Sequence, residues 1–74
     1  MENEKYLIAL KDNDSYSYVS TIYFYSVDFT DLENNAINFV SKENAIGVMN
    51  FLSKLDPTKD YKIIKITIKL EEVI

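Results

Sequence analysis

The most regular alternation of apolar and polar residues lies near the C-terminus, over Tyr61–Leu70. One side of an extended chain would carry Ile64, Ile66, Ile68 and Leu70. The other side would carry Ile63, Lys65, Thr67 and Lys69. A period of two residues is typical of a β-strand with one buried face. We therefore predict a strand here, with the four apolar residues of the first side packed beneath a helix.

The segment before this strand has helical spacing. Its apolar residues recur every three or four positions, at Ala45, Val48, Met49, Leu52 and Leu55. Ser41 suits the N-cap position, and Glu43 places an acid in the first turn, where the helix dipole favours it. Pro57 disfavours helical geometry at the residue before it, Asp56. These signals predict a helix over Lys42–Leu55.

The N-terminal half has the composition of strands. Lys5–Leu10 predicts a first strand, and the polar residues of Lys11–Ser15 predict a turn after it. Tyr16–Phe29 is rich in aromatic and β-branched residues, which strands prefer. Its alternation separates Tyr16, Tyr18, Ser20, Ile22 and Phe24 from Val19, Thr21, Tyr23, Tyr25 and Val27. Because fourteen residues is long for one strand, we predict a bulge or bend near Ser26.

The stretch from Thr30 to Val40 links these strands to the helix. Thr30 and Glu33 have the spacing of a capping box. A long helix from this point is disfavoured, because the apolar stripe of the later helix meets polar residues when it is extended backwards. We therefore predict a single helical turn over Asp31–Asn35 and a short extended piece over Ile37–Val40.

These elements predict the fold class. The order is β-β-β-α-β, which is typical of a small α+β protein with an antiparallel sheet of three to four strands and one main helix on one face. A chain of 74 residues has room for one domain, which we expect to span residues 1–74.

The residue types needed for common catalytic chemistry are missing. The chain has no cysteine and no histidine, so thiol nucleophiles, the usual general bases and the preferred zinc ligands are absent. The single glycine, Gly47, lies within the predicted helix, which excludes a glycine-rich phosphate loop. The turn from Asp12 to Ser15 begins like a calcium loop, but position six is Ser17 and position twelve is Tyr23. We expect no enzyme activity, no metal and no cofactor.

Charge and hydropathy narrow the choice of partner. The net charge is −4, and all eight cations are lysines, so the arginine fork that best recognises phosphates is absent. This balance argues against direct binding to nucleic acid. No apolar stretch approaches the about 20 residues that cross a bilayer, so we expect no membrane association and a cytoplasmic location.

Aromatic and acidic residues supply the candidate binding site. Six of the ten aromatic residues lie within Tyr16–Phe29. Since one helix covers one face of a sheet, some of these tyrosines should be exposed, and tyrosine is a preferred residue of binding hot spots. We select Tyr23 and Tyr25 as anchors. The complementary charge would come from Asp12, Asp14, Asp28, Asp31 and Glu33. Alternatively, the tyrosines only pair across strands, and the acids only keep loops solvated.

Several segments carry a resemblance to a known class of proteins. They are Phe29-Thr30-Asp31-Leu32-Glu33-Asn34, Ala36, Phe39, Ser41-Lys42-Glu43, Ala45 and Tyr61-Lys62-Ile63-Ile64-Lys65-Ile66. In them the chain resembles small uncharacterised proteins of phages and prophages of AT-rich Gram-positive bacteria. The resemblance brings no catalytic residues. It implies a setting in which small acidic proteins block host defences, as anti-CRISPR or anti-restriction inhibitors do.

Three hypotheses follow for function. The first is a non-catalytic inhibitor that binds a host protein, such as a defence nuclease, through the tyrosines and acids named above. The second is a nucleotide or nucleic-acid binder that uses a tyrosine and lysine face of the sheet. The third is a structural homodimer joined through open sheet faces or strand edges.

Overall fold

A computed structural model describes residues 2–24, 26–69 and 72–73 of the chain. Within these ranges the elements are four strands, one short 3-10 helix and one α-helix. In chain order they are β1 (Glu2–Asp12), β2 (Ser15–Tyr23), β3 (Ser26–Thr30), the 3-10 helix (Glu33–Asn35), α1 (Lys42–Leu55) and β4 (Tyr61–Lys69). The predicted α+β class with one main helix is therefore confirmed.

The four strands form one antiparallel sheet in the order β3-β2-β1-β4. β1 and β4 pair from Glu2 opposite Lys69 to Leu10 opposite Tyr61. The chain thus places its first and last strands side by side, with β3 and β4 at the two edges. This long pairing ties the N-terminal and C-terminal strands of the domain to each other.

The helix begins and ends where its sequence signals predict. The hydroxyl oxygen of Ser41 accepts a hydrogen bond from the backbone N–H of Asn44, as an N-cap does. The helix ends at Leu55, before Asp56 and Pro57. Of the predicted apolar stripe, Ala45 and Leu52 are buried, whereas Leu55 remains 37% exposed. The helix packs chiefly on β1 and β4.

The predicted orientation of β4 is wrong. Beneath α1, the core joins Ile8 and Leu52 to Tyr61, with Ile63 packed against them. Ile64 and Ile66 pack on the opposite face of the sheet, around Leu7, Ala9, Tyr18 and Ala36. Ile68 is 42% exposed, and Leu70 lies outside the described residues. The alternation of β4 is real, but both of its faces carry apolar residues, so the pattern did not indicate which face the helix covers.

The predicted bend near Ser26 is a reversal of the chain. β2 ends at Tyr23, β3 begins at Ser26, and these two residues pair with each other. The bulge lies earlier, since Val19 pairs with Phe29 whereas Thr21 already pairs with the preceding residue of β3. Ser20 is therefore the extra residue.

This bulge also corrects the predicted faces of β2. Val19 and Ile22 were predicted to lie on opposite faces, but both pack in the core beneath α1. An extra residue between them shifts the alternation by one position, which brings the two side chains to one face.

The link between β3 and α1 lies between β2 and the N-terminal half of β1. The predicted helical turn is present as the 3-10 helix Glu33–Asn35, but the Thr30 hydroxyl accepts the N–H of Leu32 and does not cap that helix. In the predicted extended piece, Phe39 exchanges backbone hydrogen bonds of 2.8 and 2.9 Å with Tyr6. The link thus lies beside the N-terminal half of β1, on the side where β2 would otherwise continue.

The resulting molecule is elongated, with extents of 49 × 26 × 19 Å. Its radius of gyration is 13.5 Å, against about 11 Å for a compact chain of this length. The eleven residues of β1 span about 36 Å and the fourteen of α1 about 21 Å, so the strands extend past the helix.

Candidate functional site

The far half of the β2–β3 hairpin pairs with no other strand of the described sheet. β1 pairs with β2 only from Ala9–Tyr18 to Asp12–Ser15. The later residues of β2, from Thr21 to Tyr23, pair with β3 alone. We call this two-stranded ribbon, residues 21–23 and 26–28, the β2–β3 arm. Ribbons of two strands are marginally stable by themselves, so the arm depends on the apolar contacts at its base.

Two exposed aromatic rings occupy the end of the arm. The side chain of Tyr23 is 68% exposed and that of Phe24 is 76% exposed. Their ring centroids lie 4.8 Å apart at an interplanar angle of 76°, an edge-to-face contact. Tyr25 follows them in sequence and lies outside the described residues. The arm therefore presents a preformed aromatic pair to its surroundings.

The backbone at this tip is locally unfavourable. Phe24 has a φ of +53°, in the left-handed region that glycine and asparagine tolerate best. The other hairpin turn places Asn13 at a similar φ of +58°, with the residue type that suits it. Strain of this kind clusters at functional sites. Phenylalanine is therefore not the residue type that this turn geometry favours.

The five predicted acids do not form one cluster around the tip. Asp12 and Asp14 belong to the β1–β2 turn, and Asp12 pairs with Ser15, eight residues from Tyr23 along β2. At 3.3 Å per residue this corresponds to about 26 Å. Asp28 is exposed on the arm itself, opposite Thr21.

Asp31 and Glu33 lie after the arm, near the base of β3. The side chain of Glu33 accepts a 3.4 Å hydrogen bond from the hydroxyl of Tyr18 through its Oε1 atom. Burial, followed by the nearby Glu33 carboxylate, raises the pKa of Tyr18. This contact holds the 3-10 helix against the sheet. Of the five acids, Asp28 is therefore the one best placed to accompany the aromatic tip.

A second aromatic surface lies on the sheet face opposite α1. The rings of Tyr16 and Tyr18 stack at 6.3 Å, and Lys11 pairs across the strands with Tyr16. Lys62 lies on the same face, opposite Ala9, with its ammonium 3.1 Å from Asp60. The Tyr18 hydroxyl already donates its hydrogen bond to Glu33. This face combines rings with lysines, and the Asp60 carboxylate offsets the charge of Lys62.

Sequence reasoning missed Phe24. The pattern predicts Phe24 to lie in the middle of a long strand, because the residues around it have strand propensity and carry no Asn-Gly or Asp-Gly signal. The only available signal is the length of the aromatic run, which predicts a bend near Ser26. In the hairpin, Phe24 is the most exposed aromatic side chain of the described residues, and the predicted anchor Tyr23 is the next.

Within the described ranges, no three His, Cys, Asp or Glu side chains are grouped so that they could hold a metal ion. No helix in the same part of the chain is long and apolar enough to cross a membrane. No protein-family model matches the chain, and no curated protein or solved structure is significantly similar to it. Any function must therefore be inferred from the surface features of this chain.

Proposed function

We propose that the chain is a non-catalytic protein-binding module that inserts the tip of its β2–β3 arm into an apolar pocket of a partner protein. The observation that carries the proposal is the exposed edge-to-face pair of Tyr23 and Phe24. An exposed aromatic patch at the end of a two-stranded ribbon is typical of an interaction surface.

The strained tip supports the same proposal. A left-handed position favours glycine or asparagine, so phenylalanine there lowers stability without any gain in the isolated fold. Burial of aromatic rings in a partner pocket supplies that gain, since rings dominate interface energies at low conformational cost. Phe24 and Tyr23 are accordingly the expected hot spots, with Tyr25 as the neighbouring anchor predicted from sequence.

The charge of the arm specifies the rim of the partner pocket. Asp28 is exposed on β3, and Asp31 follows it at the base of the arm. The chain as a whole carries a net charge of −4. A basic rim would therefore accelerate association with the acidic arm.

The partner class that we propose is a nuclease, since nucleases bind their substrate in basic channels. An aromatic tip beside the exposed Asp28, on a chain of net charge −4, is suited to occupy such a channel and exclude nucleic acid from it. The proposed role is that of an inhibitor of a host defence nuclease, as the resemblance to phage proteins implies.

The test compares matched variants in one capture experiment. The tagged chain, the Tyr23→Ala/Phe24→Ala variant and the Tyr16→Ala variant are incubated with a bacterial lysate that contains defence nucleases. Bound proteins are quantified by mass spectrometry. Tyr16 is a suitable control because it is 37% exposed and stacks on Tyr18 at the face opposite α1, away from the tip.

The expected result is one nuclease retained by the wild type and by Tyr16→Ala and lost from the double variant. With the purified nuclease, the double variant should weaken the affinity by about 30-fold or more, as loss of a hot spot does. Unchanged affinity in the double variant would exclude the tip as the anchor. Loss of binding in Tyr16→Ala alone would assign the opposite face instead.

The stacked Tyr16 and Tyr18 rings beside Lys11 favour one second candidate, a single-strand nucleic-acid binder. Fluorescence anisotropy with a labelled single-stranded oligonucleotide tests it at about 50 and 200 mM salt. Binding that weakens steeply with salt and is lost in Tyr16→Ala supports this candidate. Absence of binding at both salt concentrations rejects it.

A further inference from the structure

β4 is the longer of the two edge strands of the sheet. It has nine residues, and within the described ranges it pairs with β1 alone. The pairing keeps one register from Glu2 opposite Lys69 to Leu10 opposite Tyr61. Proteins usually protect such an edge with a bulge, a proline or charges, because its backbone groups can pair with another strand. β4 has neither a bulge nor a proline.

The backbone of β4 presents alternate residues to its outer edge. Tyr6 of β1 exchanges hydrogen bonds with Phe39, on the side of β1 away from β4. Its partner across the strands, Lys65, therefore belongs to a non-hydrogen-bonded pair of the β1–β4 ladder. The same alternation directs the N–H and C=O groups of Ile63 and Thr67 away from β1. A strand added beside β4 would bond to these groups.

Two lysines of β4 are paired with carboxylates of the same chain. The ammonium of Lys62 lies 3.1 Å from Asp60, and that of Lys65 lies 3.0 Å from Glu4. Exposed lysines protect an edge by repelling a similar edge. Because these two charges are offset within the chain, they oppose an incoming strand less than isolated lysines would.

The C-terminal part of β4 belongs to a ribbon of two strands. Residues 66–69 pair with residues 2–5 of β1, and no third strand of the described sheet joins them. Two-stranded ribbons are only marginally stable in water. In this ribbon Ile68 is 42% exposed, and Ile66 is half-buried. A strand added along β4 would support the ribbon and cover these side chains.

β4 is complementary to itself in one antiparallel register. Because its outward backbone groups alternate, the two-fold axis of such a pair passes through a residue and not between two residues. With the axis at Ile66, this residue faces Ile66 of a second copy, and Ile64 faces Ile68. These isoleucines lie on the sheet face opposite α1. On the face of α1, Lys65 faces Thr67. The register therefore pairs isoleucine with isoleucine and opposes no like charges.

The neighbouring registers are less favourable. An axis at Lys65 places this lysine opposite itself, and like charges directly opposite each other are destabilising. An axis at Ile64 places Lys62 opposite Ile66 and so breaks the row of isoleucines. The favoured axis also lies within the two-stranded ribbon, which is the part of the sheet that lacks support.

The other edges of the sheet do not pair with themselves in this way. β3 has five residues, and in full overlap its central residue, Asp28, would face Asp28 of the second copy. Among the described residues, the outer side of β1 offers only residues 2–5, because Tyr6 bonds to Phe39. β4 is therefore the edge that fits a second copy of the chain.

We propose that the chain forms a two-fold symmetric homodimer, in which β4 pairs antiparallel with β4 of a second copy about an axis at Ile66. The two sheets join into one sheet of eight strands, and the two-stranded ribbons become one of four strands. The same edge is used by both copies, so this interface is closed. The proposal goes beyond the binding of another protein and does not depend on the β2–β3 arm.

A single introduced cysteine tests the register, since the chain itself has none. Across a non-hydrogen-bonded pair the Cα atoms lie about 4.5 Å apart, within reach of a disulfide. Ile66→Cys should therefore form a disulfide-linked dimer when the full chain is treated with the oxidant diamide. In the matched variant Ile68→Cys the two cysteines lie four residues apart along the paired strands, about 13 Å. Non-reducing electrophoresis should show little or no linked dimer for that variant.

Proline at position 67 tests the backbone pairing. Thr67→Pro removes an N–H that points away from β1, so the β1–β4 ladder keeps its hydrogen bonds. Thr67→Val keeps this N–H and is the control. In sedimentation equilibrium, the wild type and Thr67→Val should show a mass that rises with concentration to twice that of the monomer. The dimer affinity should fall at least tenfold in Thr67→Pro, and circular dichroism reports whether each variant is folded.

Several outcomes would overturn the proposal. A monomer mass at millimolar concentration would do so, as would equal cross-linking of Ile66→Cys and Ile68→Cys. Unchanged dimerisation of a folded Thr67→Pro variant would exclude the β4 edge. A mass that rises beyond the dimer would show open pairing between unlike edges in place of the closed interface. If Thr67→Pro does not fold, the cysteine pair decides alone.

The tip variant keeps this proposal separate from the proposed function. Tyr23→Ala/Phe24→Ala should dimerise as the wild type does, because both residues lie outside β1 and β4. If the chain dimerises but nuclease capture is indifferent to the tip, the proposed function fails and the dimer remains. If capture depends on the tip but the chain stays monomeric, the dimer proposal fails alone.

Discussion

The backbone N–H of Ile37 donates a 3.0 Å hydrogen bond to the carbonyl oxygen of Val19. This bond joins the link between β3 and α1 to β2 at the position where β2 stops pairing with β1. On its other side the link exchanges hydrogen bonds with β1 through Phe39 and Tyr6. The link therefore separates the arm from β1, and backbone hydrogen bonds hold this separation in place.

Phe24 should lower the stability of the free protein and strengthen its binding to a partner. Replacing Phe24 by asparagine removes an exposed ring from a left-handed position and supplies a residue that tolerates it. We expect the free energy of unfolding to rise by about 0.5–1 kcal/mol, measured by chemical denaturation. The same variant should weaken partner binding. Tyr23→Asn is the control, since it removes a neighbouring ring without relieving the strained backbone, and a loss of stability in Phe24→Asn would contradict the prediction.

The core beneath the helix should depend strongly on Leu52. This side chain is 1% exposed and packs with Ile8, Val19 and Tyr61. Leu52→Ala should lower the free energy of unfolding by about 2–5 kcal/mol, which would unfold much of a domain this small. Phe51→Ala, one residue earlier but half exposed, should cost far less. Similar losses in the two variants, measured by urea denaturation, would place the core elsewhere.

Gly47 should be replaceable. It lies inside α1, and an added Cβ atom would meet no other atom within 4 Å. Gly47→Ala should therefore stabilise the protein by about 0.5–1 kcal/mol, because alanine has less conformational entropy to lose in a helix. The measurement is the midpoint of thermal unfolding, with Asn50→Ala, also exposed on α1, as the comparison. A lower midpoint for Gly47→Ala would show that the position is packed against something.

Acid should destabilise the end of α1. Thr58 donates hydrogen bonds to the Asp56 carboxylate, which lowers the pKa of that group in the folded state. The unfolded state then binds protons more readily, so stability is present above the ordinary pKa of aspartate, about 3.9, and is lost as pH falls below it. Asp56→Asn should reduce the loss of stability between about pH 4 and pH 2. Unfolding curves at several pH values measure this loss.

The N-terminal turn of the helix adds a similar contribution. The backbone N–H of Glu43 and the Ser41 hydroxyl lower the pKa of the Glu43 carboxyl. The double variant Asp56→Asn/Glu43→Gln should therefore depend on acid less than Asp56→Asn alone. An identical acid dependence in the wild type and both variants would mean that other carboxyl groups control acid unfolding.

Local signals explain what the sequence by itself determined. The bounds of α1 depend on an N-cap serine, a helical stripe and a proline, all of which act within a few residues. The alternation of β4 is equally local. The α+β class followed from the order of these elements.

Only the tertiary structure decided which surfaces are exposed. Both faces of β4 carry apolar residues, so the position of α1, and not the pattern, selects Ile63 over Ile64 for the core beneath the helix. The chain reverses at Phe24 against local preference, because strand pairing between Tyr23 and Ser26 outweighs the unfavourable backbone of one residue. The candidate site lies where long-range strand pairing overrides local propensity. Local residue preferences alone therefore do not predict its position.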